Sequence, residues 1–180
     1  MAEIEPRNSP AGATSSADLA RRLQRLEDER AIRQLIDLNW FLADAGPAEA
    51  FVDLYTEDCV IDLGRLVSPD FDTIVKGHAG VRARYTDPSH SQWEGRSHHL
   101  SGGPQAICIT GEEALAATYA ITTMLIDGTP QTIVVGFNFW RLTRRSGRWR
   151  ISHRAARRLG DEDVLDLFRP IVRQVLDEFA

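Results

Sequence analysis

Apolar residues near the N-terminus recur with the period of an α-helix. Ser15 followed by Asp18 resembles a capping signal, which places a helix start there. The acidic run 27–29 could divide the helical segment in two, and Gly46-Pro47 predicts its end. Asp44 therefore falls in its last turn. The apolar positions that repeat every three or four residues are Leu19, Leu23, Leu26, Ile32, Leu35, Ile36 and Trp40.

Short apolar segments and then alternating ones follow this helix. The pattern predicts a second short helix over 47–57, a strand over 59–67 and a third helix near 79–85. The polar residues 86–95 are typical of a mobile flap. Strands are predicted over 105–110 and 114–126, and Asp127-Gly128 predicts the turn that follows.

A long hairpin, Gln131 to Arg158, carries the clearest strand pattern of the chain, with a turn at Ser146-Gly147. Polar groups on an otherwise apolar strand indicate that the sheet lines a pocket, with Arg154 as the cation in its wall. Strict alternation in the returning arm predicts two faces. One carries Trp149, Ile151, His153 and Ala155, and the other carries Arg150, Ser152, Arg154 and Ala156.

The two ends of the chain differ from this central part. Residues 1–16 are rich in Pro, Ser, Ala and Gly and predict a disordered tail. Residues 161–180 form an amphipathic pattern that predicts a helix, packed on the domain or in an oligomer interface. Helices followed by a run of antiparallel strands favour an α+β domain over 17–160, with the N-terminal helices on one face of a strongly curved sheet.

Composition narrows the class of protein. The 180 residues suffice for one domain, and the net charge of -5 argues against a general nucleic-acid or anionic-membrane surface. No apolar run is long enough to span a membrane, and no signal pattern opens the chain. Cys59 and Cys108 lie in apolar runs, which favours buried free thiols and a cytoplasmic location.

Asp44 and the pair His98-His99 are the first candidates for chemistry. A carboxylate in the last turn of a helix meets the negative end of the helix dipole, so it needs a cationic partner unless it is simply solvated. His98 and His99 begin a strand, so only one of them can face inward, and a lone inward His is most often a core residue. The histidines His98, His99 and His153 match no zinc signature, and we expect no metal or cofactor.

Several separated motifs resemble the SnoaL-like branch of the nuclear transport factor 2-like superfamily, over roughly Leu23 to Arg158. They are Leu26-x-x-x-Arg30-Ala31-Ile32-x-x-Leu35, Asp44 at a helix end, a His before strands, and Gly147-Arg148-Trp149-Arg150-Ile151-x-x-Arg154. That branch includes scytalone dehydratase, bile acid dehydratase and hexachlorocyclohexane dehydrochlorinase. The resemblance implies a cone-shaped α+β barrel, cofactor-free lyase chemistry and a homo-oligomer, either trimer or dimer.

The same resemblance implies roles for individual residues. Asp44 and His99 match the catalytic dyad of the family, and Arg154, five residues after Trp149, matches its arginine. The family carries a Lys or Tyr where this chain has Asn39, and an amide cannot replace such a proton donor. The residues expected to contact the substrate are Asn39, Trp40, Tyr55, Tyr119 and Met124.

The resulting hypothesis is a dehydratase-type lyase or an isomerase that acts on a small hydrophobic organic molecule. Asp44 would hold His99 as a general base, and Arg154 would stabilise negative charge. A non-catalytic small-molecule binding protein is the first alternative. A polyketide cyclase, a ketosteroid-type isomerase using Tyr55 or Tyr119, and an epoxide hydrolase using Asp62 with Arg154 are the others.

Overall fold

The computed structural model describes residues 15–64, 73–91, 93–100 and 105–179. Most of the predicted tail and the segments 65–72 and 101–104 lie outside these residues. Ser15 caps the first helix as predicted, because its hydroxyl accepts a hydrogen bond from the backbone N–H of Asp18 at 3.1 Å. The helix begins at Ser16, one residue before the expected start of the domain.

The first helix, α1 (Ser16–Ala45), is one continuous helix, so a division at the acidic run is wrong. Asp28 is buried, and two residues of the sheet donate hydrogen bonds to its carboxylate. One of its oxygens accepts a hydrogen bond from Arg144 at 2.6 Å, and the other accepts one from the indole of Trp149 at 3.1 Å. The acidic residue that resembled a break therefore anchors the helix to the sheet.

The remaining helices are short, apart from the last. They are α2 (Ala48–Val52), α3 (Gly77–Thr86), α4 (Pro88–Ser91) and α5 (Val164–Phe179). The helix α2 is shorter than predicted, because Tyr55 already belongs to the first strand. Ile171 on the apolar face of α5 packs on Cys108, Phe139 and Ala155 of the sheet.

The strands are β1 (Tyr55–Asp62), β2 (Ile74–Lys76), β3 (Ser97–Leu100), β4 (Ala106–Thr110), β5 (Glu113–Ile126), β6 (Thr129–Arg145) and β7 (Arg148–Arg158). These seven strands of the described residues form one sheet, ordered β2-β1-β7-β6-β5-β3, with β4 also paired to β5. All neighbours are antiparallel except β1 and β7. This curved, mostly antiparallel sheet with α1 packed on it confirms the predicted α+β class.

Two tight turns join the three longest strands, as predicted. Asp127 and Gly128 have φ values of 49° and 76°, and Ser146 and Gly147 have φ values of 50° and 76°. Two consecutive left-handed residues match the right-handed twist of the flanking strands, and glycine adopts the second position without steric cost. These local signals fix the pairing of β5, β6 and β7.

A bulge at Ser152 breaks the predicted alternation of β7. Arg141 of β6 faces His153, whereas the next residue, Leu142, faces Ile151, so Ser152 is an extra residue on β7. Because one extra residue shifts the side-chain phase, Ile151 and Arg154 lie on the same face of the sheet. The prediction that Trp149 and Ile151 point away from Arg154 is therefore wrong.

The main core lies between α1 and this face. Ile32 and Ile36 of α1 are fully buried against Trp140, Leu142 and Ile151 of the sheet. Each such side chain contributes about 1.5–3 kcal/mol by leaving water. Cys59 and Cys108 are buried free thiols, as the sequence predicted. The core ends near the last turn of α1, where a cavity begins.

A candidate active site between the long helix and the sheet

A cavity of about 280 Å³ lies between the last turns of α1, the helices α3 and α4, and the sheet. Much of its wall is apolar, which suits an organic molecule better than a hydrated ion. The apolar part includes Trp40, Phe51, Ile61, Val75, Val81 and Ile133. The polar and charged part includes Arg84, His90, His99, Asn138, Arg154 and Arg158.

The structure brings Asp44 and His99 together. Strand β3 passes the end of α1, and the Nδ1 atom of His99 lies 2.5 Å from Oδ1 of Asp44. The other oxygen of Asp44 accepts the backbone N–H of His99 at 2.9 Å, and the Ser97 hydroxyl donates to Oδ1 at 3.2 Å. Burial raises the pKa of Asp44, but these hydrogen bonds and the charge of His99 outweigh it and leave that pKa below its ordinary value.

His99 is one of the residues that line the cavity. Its ring stacks on the indole of Trp40, with centroids 5.2 Å apart and planes 13° from parallel. Since Nδ1 contacts Asp44, Nε2 is the nitrogen left for a bound molecule. The neighbouring His98 is exposed and points to the opposite side of β3, as the alternation predicted.

Arg154 is buried at the same end of the cavity. Its Nε donates to the side-chain oxygen of Asn138 at 2.9 Å, and its guanidinium lies 4.4 Å from the Trp40 ring and 5.4 Å from the Trp140 ring. Burial lowers the pKa of Arg154, although the nearby Tyr55 hydroxyl opposes the shift. Among the described residues, no carboxylate lies within 4.0 Å of this guanidinium, so neutral groups alone hold a buried cation.

Asn39 and Tyr55 lie behind the wall and do not line the cavity. Both are fully buried, and the Tyr55 hydroxyl donates to the side-chain oxygen of Asn39 at 2.6 Å. Burial raises the pKa of Tyr55 to about 12, so the phenol stays protonated. Tyr55 also interacts with Arg154, and neither Asn39 nor Tyr55 is among the residues that line the cavity.

Tyr119 and Met124 also lie away from the cavity wall. Tyr119 is 46% exposed on the opposite face of the sheet, where its ring contacts Phe137. Met124 of β5 pairs with Ser97 of the neighbouring strand β3. It is half-buried and is not among the residues that line the cavity. Asn39, Tyr55, Tyr119 and Met124 were predicted to contact the substrate, and none of the four lines this cavity. Trp40 alone of the five expected residues lines the cavity.

The segment from α3 through the predicted flap contributes wall residues that were not among the predicted site residues. Tyr85 of α3, His90 of α4 and Trp93 of the turn after α4 all line the cavity, and the rings of Tyr85 and His90 are 4.5 Å apart. Burial lowers the pKa of His90, and the charge of Arg84 lowers it further. Pro88, two residues before His90, was the available sign that the predicted flap contains a helix start.

The residues of two alternative sites, an epoxide hydrolase site and a histidine metal site, do not lie together. Asp62 accepts a hydrogen bond from Arg157 at 2.7 Å, so the carboxylate that an epoxide hydrolase would share with Arg154 is already paired elsewhere. His153 faces Arg141 on the side of the sheet opposite Arg154. Within the described ranges, no group of three or more His, Cys, Asp or Glu side chains could hold a metal ion. The same residues contain no helix long and apolar enough to cross a membrane.

A long helix packed over a curved, mostly antiparallel sheet, with a cavity at the end of that helix, defines a nuclear transport factor 2-like α+β protein. The model of the SnoaL-like domain family matches residues 24–155. The chain belongs to this family. No curated protein matches it by sequence.

Solved structures agree with this fold. A nuclear transport factor 2-like protein with a cystatin-like fold from Novosphingobium aromaticivorans is 29% identical, with a TM-score of 0.77 over 87% of this chain and 99% of that chain. A provisionally assigned scytalone dehydratase from the same organism is 17% identical, with a TM-score of 0.60 over 75% and 86%. Hexachlorocyclohexane dehydrochlorinase LinA-type3 from Novosphingobium barchaimii is 14% identical, with a TM-score of 0.63 over 76% and 90%.

Proposed function

We propose that the protein is a dehydratase-type lyase or an isomerase, in which His99 removes a proton from a carbon atom beside a carbonyl group. The observation that carries this proposal is the 2.5 Å contact between His99 and Asp44 at the wall of a largely apolar cavity. A structural histidine in a core would need no carboxylate beside it and no open space on its other side.

The contact with Asp44 suits His99 to act as a base. A carboxylate at Nδ1 favours the tautomer that carries its proton there, which leaves the lone pair of Nε2 directed at the substrate. When Nε2 takes a proton, the imidazolium lies against the ionised Asp44. That positive charge also relieves the unfavourable position of Asp44 at the end of α1.

Arg154 supplies the positive charge that the intermediate needs. Loss of the proton places negative charge on the carbonyl oxygen, which becomes an enolate. A guanidinium that is already buried and oriented stabilises such a charge without reorganisation. Asn138 and Trp40 hold that guanidinium in place.

The fate of the proton separates the two reaction types. In an elimination, the enolate electrons form a C=C bond, the bond from the β-carbon to a hydroxyl group breaks, and the proton on His99 goes to the departing oxygen as water. In an isomerisation, the same proton returns to another carbon of the conjugated system. Asn39 cannot protonate a leaving group, so His99 would serve as both base and acid.

Deuterium exchange tests the common first step without knowledge of the substrate. The full chain would be incubated in D₂O with a panel of small cyclic ketones and β-hydroxy ketones, and deuterium at the α-carbon would be followed by NMR. We expect exchange with the wild type and with His98→Gln, and a loss of about 100-fold or more with His99→Gln. Binding of panel members without exchange would favour the binding-protein alternative, and equal exchange by His99→Gln would refute the role of His99.

A further inference from the structure

His90 is a second histidine in the cavity wall, and the proposed proton abstraction does not use it. It lies on α4, whereas His99 lies on β3, yet both rings contact the last turn of α1. His99 contacts the carboxylate of Asp44, and the ring of His90 donates a hydrogen bond to the backbone carbonyl of Ala43. Two adjacent residues of one helix therefore hold two imidazoles, one through a carboxylate and the other through a neutral carbonyl.

The contact with Ala43 determines what the other ring nitrogen of His90 can do. A carbonyl oxygen only accepts hydrogen bonds, so the nitrogen beside it carries the proton. In a neutral imidazole the second nitrogen then carries a lone pair. Burial disfavours a second proton and lowers the pKa of His90, so the ring is neutral at about pH 7. The second nitrogen is therefore a hydrogen-bond acceptor in a half-buried position.

Other side-chain acceptors in the described part of the wall are weaker candidates. Arginine side chains only donate hydrogen bonds. The side-chain oxygen of Asn138 already accepts from a buried guanidinium, and the hydroxyl of Tyr85 donates to backbone carbonyls at the end of α1. Ser89 and Thr122 provide hydroxyls, which donate as well as accept. An imidazole nitrogen that carries no proton, such as that of His90, can only accept.

We propose that His90 selects ligands that carry a hydroxyl group, because its unprotonated ring nitrogen accepts a hydrogen bond from that hydroxyl. That such a ligand is a substrate rests on the proposed function. The hydroxyl lies away from the carbon atom that loses its proton, since His99 acts at that carbon. A ligand that excludes water from the His90 ring but brings no donor leaves the nitrogen unpaired, so it binds about 10-fold or more weakly.

The two histidines have different roles because their partners differ. The carboxylate of Asp44 stabilises a protonated His99 more than the carbonyl of Ala43 stabilises a protonated His90. When His99 takes up a proton from the substrate, its positive charge lowers the pKa of His90 further. His90 therefore keeps its lone pair during the reaction, and the hydroxyl that it binds keeps its proton.

Calorimetric binding of matched ketones to the full chain tests the proposal. In 4-(hydroxymethyl)acetophenone a hydroxyl replaces the terminal methyl group of 4-ethylacetophenone, and neither compound is charged. The corresponding 3-substituted pair places the hydroxyl at a second distance from the carbonyl group. The hydroxyl preference is defined as the Kd of the ethyl compound divided by the Kd of the hydroxymethyl compound. Comparison of this ratio between two proteins cancels the difference in hydrophobicity between the probes.

Two histidine variants identify the source of the preference. His90→Phe keeps a ring beside Tyr85 and removes both nitrogens, so we expect a preference that is lower by about 10-fold or more for at least one pair. His98→Phe, at an exposed histidine outside the cavity, should keep the preference of the wild type. Equal preference in the wild type and His90→Phe, or an equal loss in His98→Phe, overturns the proposal. No detectable binding of either pair by the wild type also overturns it.

Nitrogen-15 NMR of the histidine rings gives a second readout in the wild-type chain, which does not depend on the folding of His90→Phe. The signal of an unprotonated imidazole nitrogen moves to lower frequency when that nitrogen accepts a hydrogen bond. We expect this change at His90 with the hydroxymethyl ketone and not with the ethyl ketone. The signal is assigned by its absence from His90→Gln. The same change with both ketones, or with neither, contradicts the proposal.

The outcome is separable from that of the proposed function. A preference that depends on His90, without deuterium exchange by the wild type, would refute the catalytic proposal and leave a binding site for hydroxylated molecules. Exchange by the wild type together with a preference that is unchanged in His90→Phe would refute only the role of His90.

Discussion

Asp44 binds His99 through both of its carboxylate oxygens, one at the imidazole Nδ1 and the other at the backbone N–H of the same residue. This double contact fixes the position of β3 against the end of α1 and the rotation of the ring together. It also explains how a carboxylate is tolerated at the negative end of a 30-residue helix. Stability and the proposed chemistry therefore depend on the same carboxylate.

Asp44→Asn should destabilise the protein in a manner that depends on pH. Because the pKa of Asp44 is below its ordinary value of 3.8 in the folded state, its ionised form stabilises the fold fully above that value. The stabilisation is lost as pH falls through the lower, folded-state pKa. Urea unfolding at about pH 7 and about pH 3 measures this difference.

We expect the wild type to be clearly more stable than Asp44→Asn at the higher pH, and the gap to shrink at the lower one. Asp37→Asn is a suitable control, because Asp37 lies on the same helix and its contact with Gln105 is exposed. A gap that stays constant over the pH range would contradict the ionised contact with His99.

His99→Gln should abolish proton abstraction and leave the fold intact. Glutamine can still donate a hydrogen bond to Asp44, but it has no basic nitrogen. A loss of about 100-fold to 10,000-fold in exchange rate is expected for a missing general base. His98→Gln is the matched control, since His98 is the adjacent residue and is exposed on the other side of β3. Circular dichroism and melting temperature would verify that both variants are folded.

The sequence allowed most of the fold to be predicted, because its strongest signals are local. The turns at Asp127-Gly128 and Ser146-Gly147 and the alternation of β4 and β5 depend on neighbours in the chain. The continuity of α1 was not predictable in the same way. A buried Asp in the middle of a helix is unfavourable without partners. Arg144 and Trp149, which are distant in sequence, donate hydrogen bonds to Asp28 and stabilise it within the continuous helix.

The candidate site was predictable only in part, for a related physical reason. Asp44 needed a cationic partner by the dipole argument, and the family resemblance indicated His99 and Arg154. The side chain of His90 on α4 enters the cavity from the polar segment 86–95, which has no periodic pattern. Tyr119 lies on the far face because its strand position determines its direction, and residue type alone cannot show this.

Arg154→Met should reduce activity strongly while changing stability only moderately. The methionine removes the charge that stabilises the enolate, so we expect a loss of about 100-fold or more in exchange rate. Two effects on the free energy of unfolding oppose each other. The variant no longer buries a charged group, which stabilises the folded state. It also leaves the Asn138 oxygen without its donor, which costs about 1–3 kcal/mol.

The double variant Arg154→Met with Asn138→Leu separates these two effects. It should recover the stability that the single variant loses, because no buried polar atom then lacks a partner at this position. Activity should remain low. Recovery of exchange in the double variant, or full exchange in the single variant, would show that Arg154 does not stabilise the intermediate.

His90→Gln should make the protein less sensitive to mild acid. The pKa of His90 is lowered by burial and by the charge of Arg84, while Glu94 and the carbonyl of Ala43 oppose the shift. Below the ordinary value of 6.5, the unfolded chain therefore binds this proton more readily than the folded protein does. The wild type therefore loses stability as pH falls from 6.5 toward the lower pKa of His90 in the folded protein. His90→Gln has no such group, so its stability does not decrease for this reason.

Chemical unfolding measures the free energy of unfolding of the wild type and of His90→Gln at about pH 7.5 and about pH 5. The stability of the wild type relative to His90→Gln should decrease between the two values. The pKa of His153 is lowered as well, but this residue is present in both proteins and its effect cancels. An increase in the relative stability of the wild type on acidification would mean that His90 is more easily protonated in the folded state.

Deletion of Ser152 should inactivate the protein far more than substitution of its side chain. The bulge at this residue places Ile151 in the core and Arg154 in the cavity on one face of β7. Without the extra residue, regular pairing would require either Ile151 or Arg154 to face the other side. Ser152→Ala loses only a 3.1 Å hydrogen bond to the carbonyl of Arg141, which is worth about 1 kcal/mol. We therefore expect Ser152→Ala to have an exchange rate and a melting temperature close to those of the wild type. We expect the deletion variant to show no exchange and a much lower melting temperature. An active deletion variant would disprove the role of the bulge in orienting Arg154.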